Sequence, residues 1–455
     1  MVAAKTQIDD KSDLGGDYTL APVPLNRRKH WLDVALVWMG MNICPPSLLL
    51  GVWLMRYQSF ANANLSLIFA LILLALFSIF QGIIGTKLGL PTYPISQLAL
   101  GDWGGRLFSF VMFLTLIGWF GIMTESLVST FYSQIFSAAH ISLAERYRPF
   151  ISFGAGMVIT AICFWGFRAI TWLNRLTIPG LLFLTLFALV KILQQPALVH
   201  RVLHWHAAQE SISVYQGTIW VVGSLIIAAV TAPDFNRYCR TSKDTVYSVL
   251  LGNIPMVYFL AIMGMAFAVL SGAAEGKSAI EAADLSAVFA KQGWNIGPLS
   301  GVLVASFILI GAIITTNVVN LYPGAMALVT VVKGSGKYWP YLEDRAVLTI
   351  FVGFLGSVAA AFGILAKFEF FLEILTYFSV PLIGIMSTDF FLLKNRSKMK
   401  GKINISSIII WLGFSLANMG HVVPGGALAT VVYSGILYFI LEKIFGDKLH
   451  WEVLK

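Results

Sequence analysis

The sequence predicts an all-α polytopic membrane protein with about twelve transmembrane helices. Three observations predict it. Of 455 residues, 58% are hydrophobic and only 12% charged, about half the charge of a soluble chain, and the mean hydropathy is +0.79. Apolar runs of roughly 20 residues, long enough to cross a bilayer as helix, recur along the chain. They lie near 34–55, 65–85, 107–133, 149–168, 176–195, 216–234, 247–271, 297–331, 347–366, 369–393, 406–422 and 426–445. The third observation is Pro45-Pro46 inside the first of these runs. Two prolines cannot continue a regular helix, because each lacks an N–H and crowds the preceding turn.

The net charge of +9 is read as topology, with no nucleic-acid partner. Lys and Arg collect on the cytoplasmic side of membrane proteins. An N-terminus inside puts Arg27, Arg28, Lys29, Lys87, Arg237, Arg240 and the run Lys394 to Lys402 there. An even number of spans returns the C-terminus to the same face, so both termini are expected in the cytoplasm of a multi-pass cell-membrane protein. The first thirty residues are polar and carry no cleavable signal. Cys44 and Cys163 are expected at membrane depth and Cys239 at the cytoplasmic face, with no disulfide framework and no zinc site.

The segments between spans are short. The eighth run is too long for one simple span and is expected to continue as an extension or hairpin. An amphipathic stretch, 279–289, is expected to lie flat in an outer loop. So little chain outside the bilayer speaks against a receptor ectodomain or a membrane-anchored enzyme. His200 and His204 share a helical face without an accompanying carboxylate motif, which favours a solvated turn over a metal site. No catalytic triad, phosphate loop or dinucleotide fingerprint is present. A channel would need a continuous polar pore. The remaining reading is a transporter driven by an ion gradient.

A spanning helix broken at mid-depth frees carbonyls that must find partners in the protein or beside a polar cavity, and transporters hold ions and substrates at such breaks. Here the break frees the carbonyls of Gly40 and Ile43. Na⁺ prefers oxygen ligands, and a carboxylate at that depth is expensive. Ala312, Thr315 and Thr316 on the eighth run offer a carbonyl and two hydroxyls within one turn. Helical threonines also bond back to their own chain, so the pair alone is a weak signal. Asn317 and Asn320 offer amides able to read a heterocycle edge. Trp119, between Gly118 and Gly121 and near the middle of its span, offers a ring for stacking. Gly223-Ser224 offers a second break and a hydroxyl in the sixth span. Glu125, ionisable inside the third, is expected to be neutral or to pair with an outer-loop base such as Arg146 or Arg148. Asp234 with Arg237, and Asp389 near Lys394, are expected to make ion pairs at the cytoplasmic ends.

Ordered motifs sharpen this reading. They are residues 22–29 (PVPLNRRK), 85–90 (GTKLGL), Gly118-Trp119-Phe120-Gly121, Gly223-Ser224, 234–238 (DFNRY), Thr315-Thr316-Asn317 and Asp389-Phe390. In this order the chain after residue 20 resembles the nucleobase–cation symporter family, in its purine/cytosine permease branch. The resemblance implies two inverted five-helix repeats with broken first and sixth helices, plus two extra helices, alternating between outward- and inward-open states. The units would be a tail 1–33, repeats 34–195 and 216–393, an added pair 406–445 and a tail 446–455. It implies a Na⁺ site from the carbonyls of Gly40, Ile43 and Ala312 with the hydroxyls of Thr315 and Thr316. It implies a substrate pocket of the Cys44 backbone, Trp119, Ser224 and Asn317, with Asn320 adding its amide. Three positions depart from the family pattern. Leu116 replaces a glutamine, Leu225 an aromatic and Ile227 a serine, which puts cytosine itself in doubt. Trp220, a turn before Ser224, is a substitute aromatic wall.

The expectation is a secondary active symporter, not an enzyme, importing a nucleobase or related heterocycle with Na⁺ as coupling ion. The lipid bilayer and the small-molecule heterocycle are its partners; no obligate protein partner is evident. The alternatives are H⁺ coupling through Glu125, or Na⁺ symport of another small solute such as an amino acid.

Overall fold

Most of the described residues of the apolar runs are helix, and the first run is interrupted at Ile43 and Cys44. A computed structural model describes residues 22–130, 145–165, 167–208, 211–272, 274, 301–333, 345–393, 402–445 and 449–452. In chain order the helices are α1 (Trp31–Asn42), α2 (Pro45–Tyr57), α3 (Phe60–Leu88), α4 (Thr92–Thr130), α5 (Arg148–Trp165), α6 (Phe167–Leu193), α7 (Pro196–Leu203) and α8 (Val214–Val230). There follow α9 (Ala232–Asn236), α10 (Ser242–Ser248), α11 (Ile254–Ser271), α12 (Gly301–Lys333), α13 (Arg345–Ala361), α14 (Phe368–Thr388), α15 (Ile405–Met419) and α16 (Thr430–Phe445).

Among the described residues six helical stretches are long and apolar enough to cross a membrane alone, and up to eight do so if each of two bent pairs is one span. One bent pair is α1 and α2, meeting at 54° where Pro45 and Pro46 cannot extend α1. The other is α6 and α7, meeting at 101°. On α7 the rings of His200 and His204 stack 3.9 Å apart and stay exposed. The eighth run is one 33-residue helix, α12. The stretch 279–289, the Cys163 side chain and Lys394 lie outside what is described.

Two expectations are corrected. The chain is not purely helical, because β1 (Lys402–Asn404) pairs antiparallel with β2 (His450–Glu452). Part of the 446–455 tail is therefore docked. Ile403 also bridges Gly101, whose φ of 73° and ψ of 175° interrupt α4, a backbone state open only to glycine. Second, Gly223-Ser224 does not break the sixth span. The α8 helix runs through it to Val230, and the chain turns at Thr231. Gly223 serves packing instead: a Cβ there would lie 2.0 Å from Leu372 O on α14.

Helices α2, α3, α8 and α11 pack on one another, and α4, α5, α12 and α13 form a second group. Between them runs α14, against both α8 and α4, with α15 and α16 on its outer side. An equally tight approach, from both sides, is that of α2 on α11. A Cβ on Gly51 would meet Ala261 O at 2.0 Å, and one on Gly264 would meet Leu48 O at 2.0 Å. Small residues let membrane helices touch backbone to backbone, where lipid supplies no hydrophobic drive. Gly264→Val is therefore expected to cost ~1–3 kcal/mol and to lower the detergent melting temperature by several degrees. A variant melting with the native protein would mean that α2 and α11 do not touch there.

Candidate substrate and cation site

The break between α1 and α2 is built around Asn42. Its Nδ2 donates to Trp38 O and to Asn253 Oδ1, both at 2.8 Å. Its carbonyl accepts the Ser47 hydroxyl and the Cys44 N–H, each at 2.9 Å. A continuing helix would send the Cys44 amide to Gly40 O and the Ser47 amide to Ile43 O. Here Cys44 turns to Asn42, and the Ser47 N–H to Cys44 O at 3.2 Å. Those two turns divert the helical donors of the Gly40 and Ile43 carbonyls. Ile43 is buried, while the Cα of Gly40 faces open space, with no atom within 4 Å of where a Cβ would be. Asn42, Ser47 and Asn253 are absent from the sequence reading. The signal available was an amide three residues ahead of two prolines.

On α12, Thr315 Oγ1 and Thr316 Oγ1 donate to the same acceptor, Ala312 O, at 3.0 and 2.8 Å. Back-bonding therefore occurs, and it gathers three oxygens in one turn. Each hydroxyl spends its proton on the carbonyl and keeps lone pairs to offer elsewhere. The α12 helix touches α2; no hydrogen bond joins the α1–α2 break to this turn among the described residues.

The expected substrate residues divide. Trp119 is buried and meets Phe368 and Phe371 of α14 edge-on, at 5.9 and 5.6 Å between ring centroids. Its glycines admit neighbouring helices: a Cβ on Gly118 would strike Phe371, and one on Gly121 would crowd Ile364 and Ala359. Asn317 is fully buried, and its Nδ2 donates to Thr124 Oγ1 at 2.9 Å and Phe120 O at 3.3 Å on α4. Asn320 donates to Asn317 Oδ1 at 3.3 Å. The Asn317 amide is committed to joining α12 to α4. Ser224 bonds back to Val221 O at 2.8 Å. Cys44 Sγ lies 3.6 Å from Ser47 Oγ.

Two positions pack between helices. Leu116 faces α12, its Cβ 3.5 Å from where a Gly324 Cβ would be. Leu225 points to α3 and α11, lining a crevice with Leu71, Leu74 and Asn253. Both belong to helix seams.

A polar cluster unmarked in the sequence reading caps the end of the bundle where α2 finishes. Glu373 of α14 accepts the Gln216 amide, the Trp220 indole N–H at 3.1 Å and the Tyr377 hydroxyl at 3.3 Å. One turn earlier Glu369 accepts the Tyr57 hydroxyl at 3.0 Å, while Arg56 lies over the Trp53 and Tyr57 rings. Trp220 meets Tyr57 edge-on at 5.4 Å. An i,i+4 carboxylate pair at the start of an apolar run was the available signal.

At the opposite end three of the sequence motifs converge. Arg28 donates to Thr86 O at 2.6 Å and Cys239 O at 3.5 Å. Lys29 N–H donates to Tyr238 O at 2.6 Å, and the Thr86 hydroxyl to Asn236 O at 2.7 Å. Cys239 is buried within this collar, which pushes its thiol up to about 11. Asp234 takes the Thr92 N–H at 2.7 Å, and Arg237 Nε reaches the Asp234 carbonyl at 3.2 Å. Asp389 accepts the Tyr438 hydroxyl at 3.1 Å.

Glu125 is answered by backbone. Its carboxylate accepts the Leu365 N–H at 2.8 Å, in the corner between α13 and α14. Arg148 donates to Ser129 Oγ, one turn on, at 2.6 Å.

Broken and tightly crossed apolar helices around a buried oxygen cluster define a membrane transporter, and the chain belongs to the family described as permeases for cytosine/purines, uracil, thiamine and allantoin, which it matches over residues 22–448. Cytosine permease of Escherichia coli K12 is 25% identical over 441 residues, covering 95% of this chain and 96% of that one; its counterpart in strain O157:H7 is equally similar. The inward-facing conformation of Mhp1 superposes with a TM-score of 0.76 at 16% identity, covering 94% of both chains. Mhp1 closed on bromovinylhydantoin, a nucleobase-cation-symport-1 transporter, gives 0.73 at 15%, covering 95% and 96%. A Na⁺-coupled sialic acid symporter gives 0.61 at 12%, covering 98% and 95%.

Glu125→Gln keeps an acceptor for Leu365 and is expected to fold and transport as the native protein does. Glu125→Ala strands that amide, at ~1–3 kcal/mol, and is expected to melt earlier. Loss of transport in a well-folded Glu125→Gln protein would instead make Glu125 a proton carrier.

Proposed function

We propose that the chain is a secondary active symporter that imports a nucleobase or related heterocycle together with Na⁺ by alternating access. The observation that carries this reading is the convergence of Thr315 Oγ1 and Thr316 Oγ1 on Ala312 O. Neutral oxygens of this kind suit a hard monovalent ion where a carboxylate is costly. The Gly40 and Ile43 carbonyls, whose helical donors are diverted, supply the same chemistry from α1. The ion is cargo in this scheme, held between the two elements and released when they part.

Trp119 is the stacking surface, with Ser224, Asn317, Asn320 and the Cys44 backbone as the polar rim. The Asn317 amide would have to exchange its Thr124 bond for substrate, or else act by holding α12 to α4. The family's heterocyclic range and the bromovinylhydantoin of Mhp1 support a small nitrogen heterocycle. The packing of α4 on α12 and of α5 on α13, spans five apart in order, supports the paired repeats 34–195 and 216–393 with 406–445 added. The basic residues of the collar support a cytoplasmic N-terminus.

Uptake into proteoliposomes of labelled purines, pyrimidines, hydantoins and vitamin-like rings, with and without an inward Na⁺ gradient, tests the reading directly. Uptake driven by a pH gradient alone would replace Na⁺ by H⁺. Thr316→Ala is expected to abolish Na⁺ stimulation in a folded protein; a native Na⁺ response would place the ion elsewhere. Trp119→Ala is expected to weaken substrate binding by ~1–3 kcal/mol, about 5- to 150-fold. Unchanged affinity would remove the stacking role.

A further inference from the structure

On the short helix α7, His200 and His204 stand one turn apart. Their spacing alone reads as a solvated turn, since no third ligand accompanies them. The ring geometry adds what spacing does not. The two imidazoles lie 3.9 Å apart between centroids and within 15° of parallel. Both side chains are exposed, while Val202, on the opposite flank of the helix, is buried. Neither ring pairs with a carboxylate among the described residues.

A backbone contact fixes the proton on one ring. His204 Nδ1 lies 3.0 Å from His200 O. A carbonyl has no proton to give, so Nδ1 donates, and in a neutral imidazole the lone pair is then on Nε2. Metal-bound histidines share this pattern. One ring nitrogen holds a backbone carbonyl, which sets the tautomer and aims the other nitrogen at the ion. The His200 ring makes no hydrogen bond among the described residues, so its nitrogens are open to the same ion. Zinc takes imidazole nitrogen at about 2.1 Å, and tetrahedral coordination sets two such nitrogens about 3.4 Å apart. Rings at 3.9 Å come to that separation by small turns about χ2.

We propose that His200 and His204 form a transition-metal site, a chelate of two imidazoles with water in the remaining positions. Imidazole suits copper, nickel and zinc, whereas magnesium and calcium require oxygen ligands. The ion closes over the last turn of α7. The next residue, Trp205, donates its indole N–H to Met55 O at 2.8 Å and accepts the Phe60 N–H at 3.1 Å. The chelate therefore braces the turn that fastens α7 to the end of α2 and the start of α3. It shares no residue with the oxygen cluster of α12 and stands independently of the transport reading.

The test uses the full-length chain in detergent, carrying no oligohistidine tag and stripped with EDTA. Calorimetric titration with Cu²⁺, Ni²⁺, Zn²⁺ and Mg²⁺, each alone, is expected to show one site, tightest for Cu²⁺ and silent to Mg²⁺. His200→Gln and His204→Gln each leave a single imidazole and are expected to weaken binding tenfold or more. Zn²⁺ is expected to raise the melting temperature of the native protein and of neither variant. Should a variant fold poorly, electron paramagnetic resonance of the native Cu²⁺ complex decides the question without it, with two imidazole nitrogens expected on the metal. A native protein that binds none of these ions would overturn the site. So would a single coordinated nitrogen, or an affinity that survives either substitution.

Discussion

A peptide group freed inside hydrocarbon has no water to turn to, and the first span frees several. Pro45 and Pro46 withhold two N–H groups, so the helix ends at Asn42 and the remaining polar atoms must be answered locally. One side chain organises the answer. Asn42 ties Trp38 O to Asn253 at the start of α11, and its carbonyl takes the Cys44 N–H, which a straight helix would have sent to Gly40, together with the Ser47 hydroxyl. The position of α2 follows from that. Since α2 lies backbone to backbone on α11 through Gly51 and Gly264, the break and a close helix contact are one construction, fastened on both sides to α11.

Charge at depth is handled by the same rule. Glu125 and Asp234 each face the N–H of a chain corner, at Leu365 and Thr92. Glu373 faces three side-chain donors. Donors placed in this way stabilise a carboxylate inside an apolar bundle, and Arg148 and Arg237 add their charge beside Glu125 and Asp234. The arrangement also distributes these carboxylates toward the two ends of the helices.

The legible parts of this fold were those with a large local signature. Twenty-residue apolar runs announced the helices, and Pro-Pro announced the break. Thr315 and Thr316 stood out because two hydroxyls in one turn of an apolar run are unusual, and both turn to Ala312 O. What could not be read was direction. Leu116, Trp119 and Leu225 all lie on apolar helices without a polar face, so nothing in the spacing says which neighbour each meets. The structure sends Leu116 to α12 and Leu225 to α3 and α11. Gly223 looked like a break because glycine weakens a helix, yet its missing side chain makes room for Leu372. Asn317 looked like a substrate amide, yet its partner on α4 lies almost two hundred residues away in sequence. Glu369 and Glu373 escaped notice because their donors come from three different helices.

The collar at the N-terminal end carries one more implication. Arg28 and Lys29 fasten the entrance of α1 to the end of α3 and to the chain beyond α9. The far side of the break, α2, is pinned to α11. Both arms of the first span are thus anchored, the near one by the collar and by Asn42 at the start of α11, the far one along α11 itself. Any change in the 54° angle between them must be absorbed by the few backbone torsions of Ile43 and Cys44. The knee of the first span is only two residues wide, and the Ile43 carbonyl belongs to it, so its direction must turn whenever the knee bends.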